Sequence, residues 1–155
     1  MIGLYTYSPK DIVVSLSGLV IKDFAKGSFI EIAMNNPPFT SVAGIRGKST
    51  RKYSRDKSGR VTIRLQQTSP INDILSHIHE KDQVSFTGLL SLSVTDASGS
   101  TGILLKNCYI ASAPSLGLSG DDLMDREWVI NFEIISRYHV GGNKNPTLNF
   151  LSHLN

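Results

Sequence analysis

Histidine and cysteine are the residues of this sequence best suited to binding a metal or attacking a substrate. His77 and His79 are two positions apart in a segment of helical periodicity, so they point to different sides and cannot chelate one ion as an i, i+4 pair would. His139 and His153 have no carboxylate or cysteine at ligand spacing. The sequence therefore predicts no metal site and no cofactor.

Cys108 is the single cysteine of the chain, which excludes an internal disulfide and a cysteine-rich metal site. It lies in the largely apolar run 104–110, where a small buried cysteine is common, so we expect it to pack in the core. The glycine-containing segment 115–120 lacks the Lys-Ser/Thr ending of a phosphate-binding loop. No catalytic residue is predicted, and the chain is expected not to be an enzyme.

Positive charge is concentrated in one segment, although the net charge of the chain is only +3. Asp56 is the one acidic residue among the cations of this segment, which are Arg46, Lys48, Arg51, Lys52, Arg55, Lys57, Arg60 and Arg64. Carboxylates are concentrated further along the chain, at Asp121, Asp122, Asp125 and Glu127. Such segregation requires a binding partner to explain it.

The basic segment is either a solvated loop or a binding surface, and two partners suit such a surface: nucleic acid, or an acidic surface on a protein. Tyr53 is the only aromatic residue found among the cations, so no stacking platform for single-stranded nucleic acid is evident and that alternative ranks second. An acidic segment on the same chain offers a partner in a second copy. We therefore predict a head-to-tail contact between subunits, made by Arg46, Lys48, Arg51, Lys52, Arg55 and Lys57 with Asp121, Asp122 and Asp125.

The elements that position these charges are mainly strands. The chain of 155 residues is expected to form a single domain, 1–155, in which apolar residues alternate with polar ones over the ranges 30–34, 61–66, 83–95 and 128–134. Segment 36–60, rich in proline and glycine, is expected to project as a long basic loop or ribbon, and 145–155 to be a short C-terminal tail. The predicted fold is an antiparallel β-sandwich or open barrel with one flanking helix.

One helix is predicted, from Pro70 to Glu80, with Ser69 as its N-cap. Its apolar residues recur at helical spacing, so we expect all of them to pack on the sheet: Ile71, Ile74, Leu75 and Ile78. No stretch approaches the roughly 18 consecutive apolar residues of a membrane span, and the N-terminus has no leader pattern, so no membrane anchor is expected.

Two stretches carry a resemblance to a known family. The segments 7–18 and 21–30 form the first, and the second is Gly59–Leu75, in which Val61–Ser69 leads into Asn72–Leu75. Together they resemble the tail tube proteins of contractile-tailed bacteriophages. The resemblance spans most of the chain and rests on strand and turn patterns.

The resemblance implies two antiparallel sheets beside one helix, six copies joined into a ring, and rings stacked into a tube inside a sheath. Its implied partners are further copies of the chain, the tail sheath protein, baseplate and tail-terminator proteins, and DNA that passes transiently through the lumen. The implied location is the virion tail, assembled in the host cytoplasm. Tail-derived bacteriocins need the same tube and fit equally well.

In related tubes a long loop between early strands reaches the neighbouring ring, and residues 40–57 occupy that place here. Lumens of such tubes are often acidic, whereas the polar strand face of this chain carries hydroxyls and amides. On the parity of segment 83–95, we expect the lumen-facing residues to be Ser85, Thr87, Ser91 and Ser93. Three function classes remain open from the sequence: a tube subunit, a basic nucleic-acid-binding β-barrel module, and an enzyme with an unrecognised acid–base pair.

Overall fold

Ten strands, one α-helix and a short 3-10 helix (Pro9–Asp11) form the structure, a computed structural model that describes residues 4, 5 and 7–143. The elements before the helix are β1 (Ile12–Leu16), β2 (Leu19–Ile21), β3 (Ile30–Met34), β4 (Phe39–Ala43), β5 (Ser49–Tyr53) and β6 (Gly59–Leu65). The helix α1 (Ile71–Ser85) is followed by β7 (Leu90–Asp96), β8 (Gly102–Ser112), β9 (Arg126–Phe132) and β10 (Ile134–His139). The expected tail, 145–155, lies outside the described residues.

Eight strands form one antiparallel sheet, in the order β2-β1-β7-β8-β9-β6-β3, with β10 also paired to β8. The long strand β8 pairs with β7 and β10 through its first part and with β9 through its last residues. Between these parts Asn107 has a φ of 52° and the register with β7 shifts, which is a bulge that bends the strand. Among the described strands β2 and β3 end the order without pairing with each other. The prediction of a mainly antiparallel β fold with one helix is confirmed.

A single apolar core lies on the inner side of this bent sheet. Strands β6 and β9 contribute most of the largest fully buried side chains, and β1, β7, β8 and α1 complete the core. The buried residues of β6 and β9 are Val61, Ile63, Leu65, Trp128, Ile130 and Phe132. Alternation on these strands therefore identified the core correctly.

The helix is anchored to the core by Ile71 and Leu75, which are buried, and by a hydrogen bond from Trp128 Nε1 to Asn72 Oδ1 of 3.0 Å. It is longer than the predicted Pro70–Glu80, and Pro70 is its N-cap. Ser69 Oγ still accepts from the Ile71 N–H, at 3.2 Å. The expectation that Ile74 packs on the sheet is wrong, because this side chain lies toward solvent and is 40% exposed.

The prediction of a strand from residue 83 to 95 is wrong in its first half. Helix α1 continues to Ser85 and ends at Phe86, whose φ of 56° is left-handed and whose side chain is 84% exposed. Asp82 Oδ1 accepts from the Gly88 N–H, at 2.9 Å, and closes the connection to β7. A Cβ at position 88 would collide with the Asp82 side chain, so the connection requires glycine.

Ser85 and Thr87 therefore do not share a strand face with Ser91 and Ser93. Ser85 is the last helical residue, and its Oγ donates to the Lys81 carbonyl. Thr87 lies in the connection, exposed, within 2.8 Å of the Ser85 hydroxyl. The alternating pattern at 84 and 86 belongs to the end of a helix, where it places both apolar side chains in solvent.

Cys108 is fully buried, as predicted. Burial raises the pKa of its thiol to about 11, and a backbone hydrogen bond with Leu92 only partly opposes this. The thiol is therefore protonated near neutral pH, which makes it a poor nucleophile.

Among the described residues no helix is long and apolar enough to cross a bilayer.

We predict that Leu75→Asp prevents folding, because a carboxylate buried without a partner costs several kcal/mol. Ile74→Asp is the matched control on the same helix, and its cost should stay near or below about 1 kcal/mol because residue 74 can hydrate its charge. Urea unfolding followed by circular dichroism measures both. Equal destabilisation by the two substitutions would contradict the observed burial pattern.

We also predict a loss of stability at high pH that depends on Cys108. A pKa raised from 9.0 to about 11 gives a contribution that is complete below pH 9 and is lost as the pH rises toward 11. The free energy of unfolding should fall in this range by roughly 1 kcal/mol per pH unit more than in Cys108→Ala. Parallel pH profiles of the two proteins would contradict the buried neutral thiol.

Candidate assembly interface

The pairing of β6 with β9 fixes the two charged segments at opposite ends of the same strands. The register places Gly59 opposite Phe132 at one end and Leu65 opposite Arg126 at the other. The basic segment enters β6 at Gly59, and the acidic segment 121–125 enters β9 at Arg126. Seven residues of strand separate the two ends, which is roughly 20 Å.

The basic segment from Arg46 to Lys57 belongs to a β-hairpin made of β4 and β5, which form a separate two-stranded sheet, whereas Arg60 and Arg64 lie on β6. Every residue of both strands is exposed. The expected ribbon is thus present in place of a loop, and the last residues of the range 36–60, Gly59 and Arg60, already belong to β6.

One face of the hairpin carries two aromatic rings and the cations that lie over them. Phe39 and Tyr53 are paired across the strands with ring centroids 5.4 Å apart. The guanidinium of Arg51 lies 4.4 Å from the Phe39 ring centroid, and Lys57 Nζ lies 4.9 Å from that of Tyr53. These cation–π contacts hold the two charges in place at the surface. Lys52, paired with Thr40, lies on the opposite face.

The neck of the hairpin is closed by Asp56. Its carboxylate accepts from the hydroxyl and the backbone N–H of Ser58, at 2.7 and 3.0 Å, and from Asn36 Nδ2, at 2.7 Å. These bonds, led by that of the Ser58 hydroxyl, lower the pKa of Asp56 below its ordinary value of 3.8. The only carboxylate within the basic segment is therefore engaged in holding the neck, and no ion pair between it and the hairpin cations is present in the described part of the chain.

The acidic segment is an exposed connection before β9. The Ser119 hydroxyl accepts from the backbone N–H groups of Asp121 and Asp122, and Gln67 Oε1 accepts from the N–H of Met124 at 2.8 Å. Arg126, the nearest cation in sequence, donates to the carbonyls of Gly117 and Met124. Its guanidinium therefore helps to shape the segment through backbone contacts.

Within residues 7–143 the structure shows one ion pair, between Arg64 Nε and Glu127 Oε2 at 3.3 Å. The carboxylates of Asp121, Asp122 and Asp125 and the six predicted contact cations are all outside it. The structure thus brings the cations together on one projection and the aspartates together at the other end of the sheet. It does not bring the two groups into contact within one chain.

A hollow of about 710 Å³ lies at the acidic end. Its lining comes from the residues directly after β6, Gln66 and Gln67, from Lys26, and from Asp121, Asp122, Leu123 and Asp125. Sequence reasoning identified the aspartates but missed the hollow, because residues 66 and 67 are brought beside 121–125 only by the β6–β9 register. It also missed Phe39, which is fourteen positions from Tyr53 and meets it only through the hairpin register.

Ser91 and Ser93 lie on β7, where Leu92 and Val94 between and beside them are buried in the core. Ser93 is paired with Ser15 of β1, and the Ser91 N–H donates to Ser17 Oγ at 3.0 Å. The side chains of both residues are half-buried on the face of the sheet that points away from the core. This placement agrees with the predicted parity for these two of the four residues.

No grouping of histidine, cysteine and carboxylate side chains suited to a metal ion occurs among the described residues. His79 Nε2 lies 2.9 Å from Gln83 Nε2, one turn along α1, and His77 is exposed. The two charged features that the described residues present at the surface are thus the basic hairpin and the acidic hollow.

The chain is similar to known proteins in sequence and in fold, although no protein-family model matches it. In sequence the chain is 29% identical over 147 residues to the structural protein ORF10 of Pseudomonas phage KPP10, covering 90% of this chain and 84% of that protein.

Two solved structures share the fold at low sequence identity. The tube-terminating cap of the anti-feeding prophage matches with a TM-score of 0.63 and 10% identity, covering 90% of this chain and 95% of the cap chain. A chain from the sheath–tube complex of an extracellular contractile injection system, PVC, in its extended state matches with a TM-score of 0.56 and 12% identity, covering 90% and 93%. The resemblance expected from the sequence is thus confirmed, and the chain has a tail tube-like fold similar to that of tube and cap proteins of contractile injection systems.

Proposed function

We propose that this protein is a structural subunit of a contractile phage tail tube, which forms rings that stack head to tail into a hollow tube. The observation that carries the proposal is the segregation of opposite charges to the two ends of the β6–β9 pair, where the hairpin cations and the aspartates have no ion-pair partner within residues 7–143. A head-to-tail contact brings different surfaces of identical subunits together, so one end can be basic and the other acidic. Repeated stacking then neutralises both at every junction.

The free energy of exposed ion pairs stabilises a repeating assembly more than it stabilises the fold of one chain. One exposed ion pair contributes only about 0.2–1 kcal/mol, but a contact that recurs at each subunit of a ring sums these small terms. We propose six subunits in each ring, from the family resemblance. The proposed ring conducts DNA during ejection and contacts the tail sheath, baseplate and terminator proteins, within a virion tail assembled in the host cytoplasm.

Both a tube subunit and a tube terminator fit the shared fold. A terminator ends a stack and needs one complementary end, whereas a tube subunit needs two. This chain has both, since its hairpin cations and its aspartates are all exposed or half-exposed and outside ion pairs within the described part. That property favours the tube subunit.

Nucleic-acid binding by the hairpin is the second candidate, because the structure adds Phe39 to the single aromatic residue expected there. The rings, however, already have cations over them, Arg51 at Phe39 and Lys57 at Tyr53. A ring covered in this way offers one face fewer for base stacking. The cation–π contacts therefore favour the first candidate function, in which the hairpin presents fixed charges to a protein surface.

We predict that the triple substitution Arg51→Glu, Lys52→Glu and Arg55→Glu abolishes tubes while shifting the melting temperature of the unassembled protein by only a few degrees. Negative-stain microscopy and thermal unfolding measure the two effects. Adding Asp121→Lys, Asp122→Lys and Asp125→Lys to the same chain should restore some tubes, because the complementarity is restored with reversed sign.

If normal tubes form after the first triple substitution, the hairpin takes no part in the contact. If the second triple substitution restores no tubes, the hairpin cations do not pair with the three aspartates. Salt supplies an independent control, because exposed charges are screened over about 10 Å at 0.1 M ionic strength. A contact led by charge should weaken as salt rises. Salt-steep binding of the unassembled protein to DNA would instead support the nucleic-acid module.

We further predict that Ser91 and Ser93 face the lumen, where hydroxyls would bind passing DNA only weakly. Cysteines placed at these two positions should react at least tenfold more slowly in assembled tubes than in the unassembled protein, with a maleimide too large for the channel. His77→Cys, on the exposed face of α1, is the outer control and should react equally fast in both states. Equal protection at all three positions would contradict the assignment.

A further inference from the structure

The tip of the hairpin and the acidic hollow match in chemistry although they lie at opposite ends of the molecule. The tip, residues 44–48, carries Arg46, Lys48 and the fully exposed Ile45. The hollow is lined by three aspartates and by Leu123, which is itself 67% exposed. We propose that the hollow is the receptor for the hairpin tip of a second copy of this chain, with Ile45 contacting Leu123 and the two cations contacting the aspartates.

The tip has a defined shape before any partner binds. Gly44 N–H donates to the Lys48 carbonyl at 2.7 Å, and Gly47 N–H donates to the Gly44 carbonyl at 3.0 Å. Gly47 has a φ of 83°, which glycine adopts without strain. Because the turn is closed by these bonds, an exposed isoleucine is presented between fixed ends, and little backbone order has to be gained on binding.

Hydrogen bonds also fix the residues that line the hollow. Gln67 fixes the backbone of the acidic segment at Met124, and Gln66 Nε2 donates to the Phe24 carbonyl at 3.1 Å. The hollow is open to solvent, and its volume of about 710 Å³ leaves room for a turn with one apolar and two basic side chains. Among the described residues Lys26 is the one cation of the lining, so that these residues leave an excess of negative charge.

The hairpin and the hollow lie at opposite ends of β6, so the proposed contact joins two copies of the chain. The hairpin strands are five residues long, roughly 17 Å, and leave the sheet at the Gly59 end of β6. The hollow lies beyond the Leu65 end of the same strand. This inference rests on the proposed function, since the second copy is the neighbour in the next ring.

Disulfide cross-linking in assembled tubes tests the contact. In the variant Ile45→Cys, Leu123→Cys, mild oxidation should link chains into a ladder of many subunits on non-reducing gels, because each chain supplies both partners. Cys108 is buried and should not compete. Each single variant should give no ladder, and Ile45→Cys with Leu116→Cys is the matched control, because Leu116 is also strongly exposed but does not line the hollow.

The outcomes separate the two proposals. If the wild-type protein forms no tubes, the proposed function fails. If tubes form but the Ile45 and Leu123 cysteines do not cross-link, or the Leu116 control cross-links equally well, the hollow is not the receptor and the tube subunit remains. Should the double variant not assemble, wild-type tubes containing a minority of both single variants give the same test, with cross-linked dimers expected only when both are present.

Discussion

The antiparallel pairing of β6 with β9 is the constraint on which the rest of the structure depends. Its inner face supplies buried residues from Val61 to Leu65 and from Trp128 to Phe132, and its two ends receive the basic hairpin and the acidic segment. A register shift of one residue would turn the buried side chains to the outside. The same burial that stabilises the core therefore fixes the positions of the two charged ends.

Segregated charge is a cost for an isolated chain, since like charges on one projection repel each other. The structure lowers this cost locally by placing Arg51 over Phe39 and Lys57 over Tyr53. Asp56, the nearest carboxylate in sequence, instead binds Ser58 and Asn36. The hairpin thus keeps its positive charge at the surface, without neutralisation by Asp56.

Period-two alternation predicted the core strands well because each of them buries one face. It failed after residue 82, where Val84 and Phe86 alternate but belong to the end of a helix, and the decisive hydrogen bond from the Gly88 N–H to Asp82 has no periodic signature. Ile74 fits the helical pattern equally well, yet only one side of α1 touches the sheet. The charged clusters were evident from composition, whereas the hollow depends on a register that joins distant segments.

The placement of both ends on one pair of strands has a mechanical consequence. In the proposed stack, a pull between neighbouring rings enters each subunit at the Gly59 end and leaves it at the Arg126 end. Such a force runs along the strands and loads the β6–β9 hydrogen bonds in shear, so that all of them resist together. A force across the strands would break them one after another. In the proposed stack, the strand pair would therefore resist stretching along the direction of stacking.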